Sequence, residues 1–246
     1  MKQHLKNVAE QLNFGPHHKS YRALHSAYWR VRRRPYRRSY SQFAEDLVMA
    51  GLLDLTTTGS YLDVGSGHPI RGSNSYLFYQ HGWAGTLVEP IRSHVQRSQL
   101  FRPRDTTIQA CASDQQGHLS FSEFYPPEFS TTELDVRTKL IARGGTLVAE
   151  YKVECLVLAT LNLEVSPDDN FFFSLDVEGH ELLAINGVDW GRFRPRVVCI
   201  EDWRATDNSA ESDVAAKLTS IGYQKVAQLG FSSIFVQPTS QEHLEK

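Results

Sequence analysis

From Tyr61 to Val236 short apolar runs alternate with longer helix-like stretches, and no other feature narrows the fold as far. The runs at residues 61–64, 86–89, 107–111, 171–176, 197–201, 223–227 and 233–236 predict strands. Stretches at residues 73–81, 91–100, 179–185 and 210–221 predict helices between them. Strand–helix–strand repetition gives an α/β chain whose parallel sheet is covered by helices on both faces. The last two strands are joined only by Gln228-Leu229-Gly230-Phe231. A connection so short cannot hold a crossover helix, so these two pair antiparallel. The expected core is a seven-stranded, mostly parallel sheet with one antiparallel strand.

Two segments depart from the alternation. Residues 117–160 carry the alternating run Leu119-Ser120-Phe121-Ser122-Glu123-Phe124, a polar Ser/Thr stretch, and a further strand at 151–157, together an inserted β-hairpin between the third and fourth sheet strands. Residues 1–38 form a basic N-terminal arm ahead of a domain at 39–246. Through residue 40 there are ten Lys and Arg against Glu10 alone, so a chain of net charge -2 is a +9 segment on a -11 body. Pro35 ends the helix expected at 20–34. The cluster from Arg30 to Arg38 suits an anionic partner, or the acidic body of its own chain or of a second subunit in a homo-oligomer. His17 and His18 read as solvated.

No run of 18 apolar residues is present, and the first residues lead into no apolar stretch, so neither a transmembrane helix nor a secretory leader is expected. Cys111, Cys155 and Cys199 are each flanked by apolar residues and none lies in a CxxC, which reads as buried thiols in a reducing, cytoplasmic compartment.

Tyr61-Leu62-Asp63-Val64-Gly65-Ser66-Gly67 runs a strand into a glycine turn, with a helix expected from Ser73-Asn74. Gly65 and Gly67 allow close approach of backbone to a ligand, and the helix start offers free N–H groups. Glu89 ends the next strand, 22 residues after Gly67, where a carboxylate accepts from ribose hydroxyls. A dinucleotide fingerprint would place its third glycine at position 70, which is Ile70. Asp63 would repel a pyrophosphate but suits a ligand carrying an ammonium and a sulfonium, so S-adenosylmethionine is the expected cofactor. The alternative is a glycine turn with no ligand. Ser113, in Ala110-Cys111-Ala112-Ser113-Asp114, is placed near the adenine edge.

Acids gather at two further strand ends, in Ser174-Leu175-Asp176-Val177-Glu178-Gly179-His180-Glu181 and Cys199-Ile200-Glu201-Asp202. Ligands of open parallel sheets lie beyond the carboxyl ends of the strands. Asp176, Glu201 and Asp202 would therefore converge, and three hard oxygen donors suit Mg²⁺, which acidifies and orients a bound hydroxyl. His180 or Asp176 would take the proton. The alternatives are Asp176 on the methionine moiety, Glu201 paired with Arg196 or an arm arginine, and His180 as a helix-surface residue. Tyr125-Pro126-Pro127 lacks the Asp or Asn that precedes the Pro-Pro of amine-methylating enzymes, and it follows the insert.

With these motifs in place the chain resembles the FkbM family of class I S-adenosylmethionine-dependent methyltransferases, over about residues 39 to 236. The resemblance is carried by Ser41-Gln42-Phe43-Ala44-Glu45-Asp46, by Asp63 to Pro69 with Ser73-Asn74, by Gly82 to Pro90, and by Asp176 to Glu181 with Arg194-Pro195. Ala44 stands where the family usually has glycine. The resemblance implies the Rossmann-like class I methyltransferase sheet and O-methylation of hydroxyls on sugars, glycans or natural products. It implies cofactor contacts at Asp63, Gly65, Ser66, Gly67, Asn74 and Glu89, with Gln42 and Glu45 as a lid. The acids after the fourth and fifth strands are similar to those of Mg²⁺-dependent catechol and macrolide-sugar O-methyltransferases. Two other functions compete: ribose 2′-O-methylation of RNA held by the arm, and a non-catalytic adaptor on the same fold.

Overall fold

The structure is a computed structural model, and it describes residues 38–202 and 212–238. The arm, with its expected helix, and the segment 203–211 lie outside the described residues.

The main sheet contains β1 (Ser60–Val64), β2 (Ala84–Val88), β3 (Thr106–Ile108), β7 (Phe171–Leu175), β8 (Val197–Glu201), β9 (Gln224–Leu229) and β10 (Ser232–Val236). Their spatial order is β3-β2-β1-β7-β8-β10-β9. β1 pairs in parallel with both β2 and β7, β7 in parallel with β8, and β10 runs antiparallel to its neighbours β8 and β9. This is the seven-stranded class I methyltransferase sheet. The order reverses between β1 and β7, where an open sheet leaves a crevice for ligands.

Each central strand buries both faces, so its residues alternate between two cores. Leu62, Val64, Phe171, Phe173, Leu175, Val198 and Ile200 pack on one side; Tyr61, Leu87, Phe172, Val197 and Cys199 pack on the other. That two-sided burial explains why these strands read as continuous apolar runs. All three cysteines are buried free thiols.

The insert is a second, three-stranded sheet of β4 (Cys111–Ser113), β6 (Thr146–Val157) and β5 (Gly117–Tyr125), with β5 and β6 antiparallel. The run expected as one strand at 107–111 is divided. β3 ends at Ile108, and Cys111–Ser113 pairs in parallel with residues 155–157 of the insert. Phe121 and Val153 pack with Cys111 and Ile91, which ties the second sheet to the loop after β2. Between β5 and β6 lies a helix that the sequence did not announce, α4 (Leu134–Ala142), none of whose residues is buried.

The other helices are α1 (Glu45–Leu52), α2 (Tyr76–Gln80), α3 (Arg92–Phe101), α5 (Glu181–Asn186) and α6 (Asp213–Ser220). The starts of α1 and α2 are set by local side-chain bonds. Ahead of α1, Ala44 takes a left-handed φ of 68°, while the buried Asp46 carboxylate accepts from Ser39 Oγ, Tyr40 N–H and Ser41 Oγ at 2.7, 2.7 and 2.9 Å. Ser41 Oγ in turn accepts the Asp46 N–H at 3.1 Å. Ahead of α2, the hydroxyls of Ser73 and Ser75 are bound to Arg102, which holds that stretch out of the helix.

Candidate active site

The glycine turn leaves β1 at the switch point. Its two glycines do different things, which the sequence motif did not distinguish. A Cβ on Gly65 (φ 75°) would sit 1.6 Å from the Asp176 carbonyl oxygen. Gly65 therefore lets the turn after β1 touch the backbone after β7, and it brings Asp176 into the crevice. Gly67 (φ 58°) is the open one, since a Cβ there would meet only the Gly65 carbonyl, at 4.0 Å.

Glu89 faces this turn as expected and is almost fully buried, at 3% exposure. Its Oε2 accepts the Gly67 N–H at 2.7 Å and its Oε1 accepts the Ile91 N–H at 2.8 Å. One carboxylate thus fixes both the loop after β1 and the loop after β2. His94 Nδ1 lies 3.7 Å from Glu89 Oε1. His68 Nδ1 accepts from the N–H groups of Ile70 and Arg71 at 3.1 and 3.2 Å. Burial, followed by the charges of Arg97, His94 and Arg71, holds His68 below the usual imidazole value, so it stays neutral.

The crevice fits an adenosyl ligand. Among the described residues, Ser66 Oγ and His94 Nδ1 are buried polar atoms without a hydrogen-bond partner, as befits groups facing a polar ligand. Ser66, Gly67, Glu89 and the buried Asp63 carboxylate would hold it. When bound, S-adenosylmethionine supplies an electrophilic methyl group on a positively charged sulfur.

Three further expected contacts, Asn74, Ser113 and Gln42, lie in separate segments. Asn74 Nδ2 donates to Ser174 Oγ at 3.0 Å, and α2 starts only at Tyr76, so its N–H groups begin two residues further along. Ser113 is buried on β4, and its hydroxyl donates to Asp114 at 3.4 Å rather than to the turn. Gln42 is exposed. Its segment is anchored at the carboxyl end of β8: Glu45 accepts the Phe43 N–H at 2.7 Å and the Ser232 hydroxyl at 2.8 Å. Ser232 is in register with Glu201, and Phe43 packs edge-on against Phe231, with ring centroids 5.7 Å apart.

Beyond β7 and β8 the structure gathers carboxylates, though not the three expected. Asp176, Glu178 and Glu201 each present an oxygen within 4.8 Å of the others. Asp202 is elsewhere: its carboxylate accepts the Ser212 hydroxyl at 2.5 Å, and Ser212 caps α6 by accepting the Ala215 N–H. Glu178 enters through a left-handed φ of 53°, in a loop held by Glu181, whose carboxylate accepts the N–H groups of Val177 and Gly179 at 3.1 Å. Burial, and then the neighbouring Glu201, push the Asp176 carboxyl well above its ordinary range. Two like carboxylates this close disfavour simultaneous ionisation.

His180 is buried at the start of α5. Its Nε2 lies 2.6 Å from Glu133 Oε1 and 2.8 Å from Thr132 Oγ1, both from the insert. A carboxylate only accepts, so Nε2 carries the proton and Nδ1 is the atom able to take another. Neither Glu133 nor Thr132 stood out in the sequence, because only the folded insert brings them to position 180.

The sequence also passed over a buried cation. Arg102, at the end of α3, is fully buried, and its five N–H groups meet five acceptors. Nε donates to Asp105 at 2.7 Å, Nη2 to Tyr61 Oη at 2.9 Å and to Ser75 Oγ at 2.8 Å, and Nη1 to Ser73 Oγ at 3.2 Å and Pro69 O at 3.4 Å. Ser75 in turn donates to Asp63.

A family model described as the methyltransferase FkbM domain matches residues 63–225, from the Asp63 strand to β9. The chain belongs to the FkbM methyltransferase family. Its members use S-adenosylmethionine. Among solved structures, the crystal structure of a TehB-like SAM-dependent methyltransferase from Corynebacterium glutamicum is similar over 91% of this chain and 100% of that one, at TM-score 0.42 and 9% identity. A comparison with curated proteins finds no match. No helix among the described residues of this FkbM chain is long and apolar enough to cross a membrane.

Proposed function

We propose that this FkbM methyltransferase transfers the methyl group of S-adenosylmethionine to a hydroxyl oxygen of a sugar, glycan or secondary metabolite. The observation that carries the reading is the close Asp176–Glu201 carboxylate pair at the carboxyl ends of adjacent strands, next to the glycine turn. An alcohol is too weak an acid to lose its proton unaided at neutral pH, and a pair of acids holding one proton keeps one carboxylate free to accept it. As the new C–O bond forms, the C–S bond breaks, sulfur keeps the electron pair, and the hydroxyl proton passes to the carboxylate pair. Nδ1 of His180, fixed by Glu133, is a second acceptor within the same loop. The protein's larger contribution is alignment of the oxygen with the methyl carbon and sulfur, worth several kcal/mol of barrier.

A divalent cation is a second occupant of the acid cluster, favoured by the convergence of three carboxylate oxygens within 4.8 Å. Asp176, Glu178 and Glu201 would hold Mg²⁺, and Asp202 would not. The arm at 1–38, with ten basic side chains, is proposed to engage an anionic partner or a second subunit.

The test incubates the full chain with methyl-labelled S-adenosylmethionine and three acceptors: a panel of glycosides, a phenolic glycoside, and an RNA oligonucleotide. Label recovered as an alkali-stable methyl ether on a sugar or phenolic hydroxyl is the expected result. Label on an RNA ribose, lost on removing residues 1–38, would move the substrate to nucleic acid. Absence of S-adenosylhomocysteine with every acceptor would oppose an enzymatic role. Turnover that EDTA suppresses and Mg²⁺ restores assigns the cluster to a cation, whereas turnover indifferent to EDTA assigns it to proton transfer.

A further inference from the structure

A buried set of polar groups behind the glycine turn has no place in the chemistry above. Tyr61 and Asp63 lie two apart on β1 and are both buried. Tyr61 Oη donates to Asp105 at 2.7 Å, and Asp105 also accepts the Gly85 N–H at 3.0 Å and Arg102 Nε at 2.7 Å. The set holds one guanidinium and two carboxylates. Arg102 is bonded directly to Asp105 and reaches the second carboxylate, Asp63, only through Ser75.

Two hydroxyls meet that carboxylate. Ser75 donates to Asp63 while accepting from Arg102 Nη2, and Ser174 bonds to Asp63 while accepting from Asn74 Nδ2. Ser75 is the residue before α2, yet its side chain makes no capping bond, which leaves its hydroxyl to Asp63 and Arg102, with Ser73 Oγ at 3.5 Å. A hydroxyl whose oxygen accepts from a cation is a stronger donor to the next acceptor. Burial pushes the Asp63 carboxyl up, whereas Ser75, Arg102 and Ser174 act against that rise and the charge of Asp105 adds to it. The charge of Asp63 is felt in turn at Asp176.

A buried excess charge stands only if a counter-charge or a proton joins it. We infer that Ser75, polarised by Arg102, is a positioning residue that holds the Asp63 carboxylate ionised and fixed beside the glycine turn, and so sets affinity for the ammonium end of the cofactor. This rests on the reading that Asp63 receives that ammonium group. It concerns affinity for one end of one ligand, and leaves the adenosine end to Glu89 and Ser66.

The test is calorimetric, on the full chain, with two ligands. S-adenosylhomocysteine carries the amino-acid end, and 5′-methylthioadenosine keeps the adenosine and thioether without it. Removing Arg102 would strand Asp105 and risk the fold, so Ser75→Ala and Ser75→Thr are compared with the unaltered chain. Ser75→Ala is expected to weaken S-adenosylhomocysteine roughly ten- to a hundredfold, the usual range for losing a hydrogen bond to a charge. Binding of 5′-methylthioadenosine should change less than about threefold. Ser75→Thr, which retains the hydroxyl, should recover most of the loss. Equal weakening of both ligands would make Ser75 merely structural and overturn the proposal, as would no weakening of either. If the unaltered chain binds both ligands equally, the ammonium assignment of Asp63 fails first, and the relay falls with it.

Discussion

Glu89→Ala is expected to weaken S-adenosylmethionine binding at least about a hundredfold, or about 2.8 kcal/mol. The carboxylate accepts backbone N–H groups from Gly67 and Ile91, at 2.7 and 2.8 Å, and each hydrogen bond to a buried charge contributes about 1.5–3 kcal/mol. Its removal frees both lips of the crevice and also deletes the proposed acceptor of the ribose hydroxyls. The sheet cores do not include Glu89, so circular dichroism should show an intact fold. Glu89→Gln is the informative companion. Its amide oxygen can accept one of the two N–H groups while its amide nitrogen confronts the other, so an intermediate loss is expected. Titration calorimetry against the unaltered chain measures both, and unchanged affinity in Glu89→Ala would remove the carboxylate from cofactor binding.

Asp176→Asn should separate chemistry from binding and from stability. A positioned base contributes about 10²–10⁴ in rate, so kcat should fall by that order while affinity for S-adenosylmethionine stays within about threefold. Stability should move the other way. The Asp176 carboxyl titrates well above its ordinary 3.8 in the folded chain, so between those values the folded state binds more protons than the unfolded. Its contribution to stability is fully present below about pH 3.8 and is lost as pH rises through the raised value. Asparagine carries no charge to repel Glu201 and removes that loss, so Asp176→Asn should melt higher at neutral pH, by about 2–4 °C for each kcal/mol gained in a domain this size. The advantage should vanish in acid. An active site that strains its own fold is expected where function opposes stability. A variant that keeps full turnover, or melts lower at pH 7 and higher at pH 4, contradicts this account of the pair.

Much of the fold was legible because two-sided burial leaves a plain mark. The run Val197-Val198-Cys199-Ile200-Glu201 is β8 to the residue, and β9 and β10 are the expected antiparallel pair, joined by Gly230-Phe231 alone because β9 runs on through Leu229. Gly67 and Glu89, 22 residues apart, do meet. Asp202 shows where reading strand ends needs the pleat. Adjacent residues on extended backbone point to opposite faces, so Glu201 and Asp202 could not both face the crevice. Glu178 escaped notice for the converse reason: a left-handed turn, not strand alternation, brings it beside Asp176. α4 left little pattern because it buries no residue, and Arg102 left none because all its acceptors but Asp105 come from β1 and residues 69–75. Contacts that distant in sequence have no local periodicity to betray them.

The central claim is that the turn from Gly65 to Gly67 and the Glu89 carboxylate grasp an adenosyl ligand beyond the carboxyl ends of β1 and β2, beside the β1–β7 switch point. A crystal of the full chain grown with S-adenosylhomocysteine tests it most directly. The account predicts ribose hydroxyls on Glu89, a polar partner on Ser66 Oγ, and the amino-acid end beside Asp63. Density for the ligand at any other site, or a crevice closed by the protein's own side chains at saturating ligand, would contradict it.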